Sequence, residues 1–185
     1  MTSKSPILVF AYGNPSRGDD ALGPKVFDQL EAHQRQHRDL DHVELLTDFQ
    51  LQVEHAVDLE GRKAVLFVDA SHTAKQPFDF MRLHAEQDES YTTHAMKPAA
   101  VLEVFQRIMH ERHPPAFMLA IRGYAFELGA ELSEQAAQNL QAGFEFLKPL
   151  LRTSPEHWLN HAEDAGASAT MSAYALGSDS GDRQA

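Results

Sequence analysis

The sequence contains no cysteine. That absence excludes disulfides, thiolate metal sites and a cysteine nucleophile together. Any metal must therefore be held by oxygen and imidazole ligands, and 11 histidines are available. Basic charge is also scarce: 16 Lys and Arg stand against 27 Asp and Glu, for a formal net charge of −11. Binding to nucleic acid or to an anionic membrane surface needs the opposite balance. Long apolar runs are missing, and no window approaches the ~18 consecutive apolar residues of a membrane span. The first apolar run, Ile7–Tyr12, is broken at once by Gly13-Asn14-Pro15 and does not read as a signal peptide. The expected address is the cytoplasm, with neither nucleic acid nor membrane as a partner.

Several catalytic signatures are absent too. There is no G-x-S-x-G elbow, no P-loop, and no G-x-G-x-x-G after the first strand. A His-Glu-x-x-His zinc motif is likewise missing, and "EHAVDLEG" matches it only superficially.

What is present is a regular alternation. Apolar runs at residues 7–12, 43–47, 63–71 and 116–123 read as strands, and the alternating stretch 78–85 suits an outer strand. Residues 21–34, 52–59 and 94–109 carry apolar positions at helical spacing, and Ser133 caps a last helix to about residue 151. The order β-α-β-α-β-β-α-β-α predicts a three-layer αβα fold around a mostly parallel central sheet of about five strands. At 185 residues the chain suits one domain with its own core. Residues 1–152 form that expected domain. Residues 153–185, rich in Ala, Ser, Gly and Asp, are expected as an acidic, mobile tail.

In such a sheet, ligands bind beyond the carboxyl ends of the strands. The first strand delivers Gly13-Asn14 and then Asp19-Asp20; the second delivers Asp48, the third Asp69 with His72 behind it. The segment after the outer strand brings Thr92, Thr93 and His94, and the last strand brings Arg122-Gly123. Taken singly, each has an ordinary explanation. Asp20 suits a helix N-cap, Asp69 an Asx turn, and His94 a surface position. Taken together, two carboxylates and an imidazole fit a divalent transition metal with open coordination positions. The clustered aspartates would also repel one another unless a cation or hydrogen-bond donors offset them.

The stretch "GNPSRGDDALGP" resembles the G-N-x-x-x-x-D-[DE]-x-x-G signature of hydrogenase maturation endopeptidases, the nickel-dependent processing proteases of [NiFe] hydrogenases. "LFVDAS" is similar to that family's third-strand motif and "YTTHAMKPAAVLEVF" to its histidine-led helix. "AIRGYAFELGAELSEQAAQNL" is similar to its last strand, turn and closing helix. The resemblance covers residues 6–151. It implies a metal-binding set of Asp20, Asp69 and His94, with nickel brought by the substrate. It also implies removal of a C-terminal extension from the immature hydrogenase large subunit, the expected partner of a monomeric enzyme. Which group acts on water is left open: the metal, Asp20 or Asp19 as base, or Asp48, which alternatively orients substrate. The expected catalytic set is accordingly Asp20, Asp69, His94 and Asp48. Two positions depart from the family pattern. Asp20 stands where Glu is common, and Asp48-Phe49-Gln50-Leu51 replaces a glycine-rich D-G-G-T turn. Two other classes fit the same strand-end acids: a non-cleaving, nickel-sensing chaperone for the subunit, and a magnesium-dependent phosphate-ester hydrolase.

Overall fold

The computed structural model describes residues 4–86 and 96–164. Five strands, β1 (Ile7–Tyr12), β2 (Val43–Asp48), β3 (Ala64–Ser71), β4 (Phe78–Leu83) and β5 (Ala116–Arg122), fall where the apolar runs predict them. A sixth, β6, is only the pair Glu163–Asp164. The sheet order is β2-β1-β3-β5-β4-β6. Strands β2, β1, β3 and β5 run parallel, and β4 is antiparallel to β5. Every residue of β1 is buried, as continuous apolar strands between two helical layers require.

The alternation of strand side chains divides the core in two. Ile7, Val9, Ala11, Leu66, Val68, Leu119 and Ile121 pack with helices α1 (Leu22–Gln36) and α3 (Glu134–Arg152). On the other face, Leu8, Phe10, Tyr12, Val65 and Phe67 meet α2 (Pro98–Met109) and a 3-10 helix at Val53–Leu59. The expected three layers are present. α2 begins at Pro98, which needs no N–H partner in a first turn; the predicted start at His94 lies outside the described residues. Ser133 caps α3 as predicted, its hydroxyl accepting the N–H of Ala136 at 3.2 Å.

The expected boundary after residue 152 needs correction. Pro155–Trp158 forms a short helix, α4, and Trp158, the chain's only tryptophan, is fully buried. Its ring meets Phe117 edge-on at 5.3 Å. Its indole N–H donates at 2.9 Å to the carbonyl of Leu150, which at the end of α3 also accepts the Thr153 N–H at 3.0 Å and the Thr153 hydroxyl at 2.7 Å. Glu163–Asp164 then pairs with β4 in parallel register. The packed fold therefore runs at least to Asp164, because one large aromatic anchors an otherwise polar segment. The remainder of the expected tail lies outside the described residues.

Strand order reverses between β1 and β3, since β1 connects to β2 on one side while β3 leads to β5 on the other. That is where an open α/β sheet has its crevice. Two glycines let the chain fold tightly there. Gly13 has φ +146°, and a Cβ on it would stand 2.1 Å from the backbone oxygen of Asp20. A Cβ on Gly23 would meet the Tyr12 carbonyl oxygen at 2.0 Å, so the start of α1 lies directly on the end of β1.

Candidate functional site

Asp19 and Asp20 sit in a 3-10 turn, Gly18–Ala21, just before α1. Neither caps α1 through its side chain. Asp19 is fully buried. Its carboxylate accepts the backbone N–H groups of Tyr124 (2.6 Å), Ala125 (2.9 Å) and Ser133 (2.7 Å), and the Ser133 hydroxyl (2.8 Å). Burial alone would raise its pKa, but the donors from Ser133, Ala125 and Tyr124 outweigh it and hold the group below the usual carboxylate value. Asp19 is thus neither a cap of its own helix nor a solvent-facing group, and with its oxygens so engaged it is no base for a substrate water. It ties the first strand-end loop to the β5–α3 connection.

Asp20 points elsewhere. Its Oδ2 accepts the N–H of Asn14 at 2.9 Å, while Asn14 Oδ1 accepts the N–H of Ser16 at 2.9 Å. The loop therefore positions Asp20 through the Asn14 N–H, which among the described residues leaves acceptor capacity open. Asp69, at the end of β3, accepts the N–H of Ala70 at 2.7 Å. Burial, reinforced by the charge of Asp20, pushes its pKa up to about 7, although the Ala70 N–H and the Tyr12 hydroxyl act the other way. Tyr12 is itself buried, and burial with the nearby charges of Asp69 and Asp20 raises it well above its ordinary value. Its hydroxyl is a fixed proton donor to Asp69. Asp20 and Asp69 are therefore electrostatic neighbours in a partly desolvated place.

Asp48 belongs to the same edge. It lies opposite Tyr12 in the β1–β2 register, and the β1–β3 register carries Tyr12 alongside Asp69. Asp48 and Asp69 thus face the same side with one strand between them, about 10 Å apart along the sheet. The carboxylate of Asp48 accepts the N–H of Phe49 at 2.6 Å through Oδ1, and its Oδ2 is 3.3 Å from Nε2 of His55. Phe49 is 65% exposed at the rim, in place of the small turn residue the resemblance would have there.

The other expected members behave differently. Arg122 donates to the carbonyl of Ala74 at 3.1 Å and lies over the Tyr124 ring, and Arg17 donates to the carbonyl of Phe126 at 3.2 Å. His72 is exposed, its ring 6.4 Å from that of Phe126. His94, with Thr92 and Thr93, lies outside the described residues. Among the described residues no group of three His, Cys, Asp or Glu could hold a metal ion. The donor chemistry still fits one: two neighbouring carboxylates, one of them raised by burial and by the other's charge, suit a divalent cation.

Three residues escaped the sequence reading. Tyr12 counted only as an apolar strand residue; its signal was a hydroxyl at the last position of an otherwise apolar run. Ser133 was read as a helix cap but not as a partner of Asp19. His55 was set aside with the zinc motif it does not form, though a Gln three residues before it is the pattern of a reciprocal helix cap.

The fold is shared with [NiFe] hydrogenase maturation proteases of known structure. The protease HycI from Thermococcus kodakarensis KOD1 superimposes with a TM-score of 0.59 at 20% identity, covering 82% of this chain and 96% of its own. The hydrogenase maturating endopeptidase HybD from E. coli gives 0.61 at 22% identity, covering 80% and 93%. HybD from Thermococcus kodakarensis gives 0.55 at 19%, covering 78% and 98%. Likeness at this identity establishes the fold. No protein-family model and no curated protein matches the sequence.

Proposed function

We propose that this chain is an endopeptidase that removes a C-terminal extension from the nickel-loaded large subunit of a [NiFe] hydrogenase. The observation that carries the reading is the Asp20–Asp69 pair at the point where the strand order reverses, with the Asp69 pKa raised to about 7 by burial and by Asp20. A cation would relieve the burial and mutual charge that raise this pair. In this reading the cation is nickel already bound in the substrate, so the pair with His94 recognises a loaded subunit and leaves an empty one alone. A cation so held lends Lewis acidity to a nearby carbonyl.

The chain's own residues supply the remainder. Tyr12 fixes the orientation of Asp69 through its buried hydroxyl. Asn14 holds Asp20 at the mouth of the cleft. Asp48, on the same face with β1 between it and Asp69, takes the proton from the water that attacks the scissile carbonyl in this reading. Asp19, saturated by its donors, keeps the loop in place and takes no part in proton transfer. The fold shared with the maturation proteases supports this assignment, as does the resemblance of the Gly13–Gly23 motif. A phosphate-ester hydrolase is disfavoured by the edge itself: Arg17 and Arg122 are both engaged by backbone carbonyls away from the acids.

The test uses immature large subunit with and without nickel, incubated with wild-type protein, Asp20→Ala or His94→Ala and followed by intact mass. The expected result is nickel-dependent loss of a C-terminal peptide with wild type and none with either variant. A nickel-loaded subunit that binds yet stays full length would replace the protease by a chaperone-like module. A nickel-loaded subunit that is neither bound nor cut overturns the assignment.

A further inference from the structure

We infer that His55 is a positioning residue for Asp48, forming a histidine–carboxylate pair in which the imidazole orients the base. This rests on the peptidase reading, with Asp48 as the group that takes the proton from water. His55 is the third residue of the 3-10 helix Val53–Leu59, whose Ala56 and Leu59 share a core cluster with Leu8, Phe10 and Tyr12 of β1. Two contacts fix its ring and a third its backbone. Nδ1 accepts the backbone N–H of Gln52 at 2.9 Å. The Gln52 side chain returns the favour by accepting the His55 backbone N–H, so the two residues cap the helix reciprocally. The ring lies 4.6 Å from that of the buried Phe10.

The tautomer follows from the first contact. A backbone N–H can only donate, so Nδ1 carries no proton, and the proton of the neutral ring sits on Nε2. Nε2 is the atom 3.3 Å from Asp48 Oδ2. At 3.3 Å the two atoms stand at ion-pair distance without a formed N–H···O bond, and catalytic contacts often tighten only when substrate arrives. The Phe49 N–H engages the other oxygen at 2.6 Å. The carboxylate is thus held on one side and faced by the imidazole on the other, yet its side chain keeps 33% exposure, against 13% for His55. It reaches solvent in a set direction. The order of parts is that of a catalytic triad read backwards: there a carboxylate orients the imidazole that handles the proton, here an imidazole orients the carboxylate.

A cap and a positioning residue make separable predictions, because the two ring nitrogens can be imitated one at a time. The side-chain oxygen of His55→Asn reaches the place of Nδ1 and keeps the acceptor for Gln52, with no atom at the place of Nε2. The amide N–H of His55→Gln reaches the place of Nε2 but offers no acceptor at Nδ1. The experiment measures thermal melting and the kinetics of cleavage of the nickel-loaded large subunit. His55→Asn is expected to melt near wild type and to lose about 10- to 100-fold in kcat with KM unchanged. His55→Gln is expected to melt lower but, assayed below its transition, to recover most of that kcat. Wild-type kcat in His55→Asn would reduce His55 to a cap and overturn the inference. Nitrogen-15 NMR of the imidazole supplies an arm that needs no substrate: an Nε2-protonated ring whose Nε2 resonance shifts in Asp48→Asn is expected. An Nδ1-protonated ring, or a resonance indifferent to Asp48→Asn, would overturn the pair. Should wild-type protein fail to cleave while the NMR signature holds, the peptidase reading falls and the His55–Asp48 geometry stands.

Discussion

Successive side chains in a 3-10 turn are rotated by about 120° from one another, which is how two neighbouring aspartates reach opposite environments. Asp19 enters the interior and finds four donors; Asp20 stays at the cleft and keeps its acceptor capacity. The division has a measurable consequence. Asp19→Ala strands three backbone N–H groups and a hydroxyl without their acceptor, and each buried group left unpaired costs ~1–3 kcal/mol. A loss of at least ~3 kcal/mol in urea unfolding is expected, against under ~1 kcal/mol for Asp20→Ala. Equal losses in the two variants would contradict the split. From the sequence, both residues were visible as a pair and their order was not. What separates them is the set of donors offered by residues more than a hundred positions later, which no local pattern records.

At the scale of elements, the strands were legible because burial on both faces demands unbroken apolar runs, and β1 and β3 have them. The edge strand β4 was legible through its alternation, which reflects its partly open position. The helices were legible through period, with Ser133 as an unambiguous start. Three-residue cap chemistry around His55 was not, because periodicity says nothing of ring nitrogens. The segment after Arg152 was misread for a compositional reason. Averaged over a polar stretch, a lone tryptophan disappears, although its indole fills space against Phe117 and closes the end of α3. Trp158→Ala is expected to cost about 3–5 kcal/mol, the range for deleting a fully buried aromatic. Chemical denaturation checks this; a change below 1 kcal/mol would mean that α4 is only loosely docked.

For the molecule as a whole, the clustered acids set how stability follows pH. The Asp69 carboxyl is raised to about 7 in the folded state, against about 3.8 unfolded. Between those values the folded protein holds a proton that the unfolded chain has released, so its stabilising contribution falls as pH rises from ~4 to ~7. Asp19 acts with the opposite sign: its pKa is depressed by folding, so its contribution is lost as pH falls below the ordinary carboxylate range. Metal-free protein should therefore melt at progressively lower temperature from about pH 5 to pH 8 through Asp69, and Asp69→Asn should flatten that slope and melt higher than wild type at pH 8. A melting curve series in chelator would decide it; an unchanged slope in the variant would remove Asp69 as its source.

The Asp19 anchorage also bears on where flexibility resides during recognition. It joins a loop near residue 19 to one spanning residues 124–133, so the two walls it connects share one stiffness and neither closes over a ligand alone. Their conformational entropy is spent at folding, before any encounter. Under the proposed function, an extended peptide end threading this cleft carries the ordering cost itself, and its affinity depends on how much of its own shape is settled beforehand. Loading the subunit with metal would, by stiffening that end, change how well it fits without altering a single atom of the cleft.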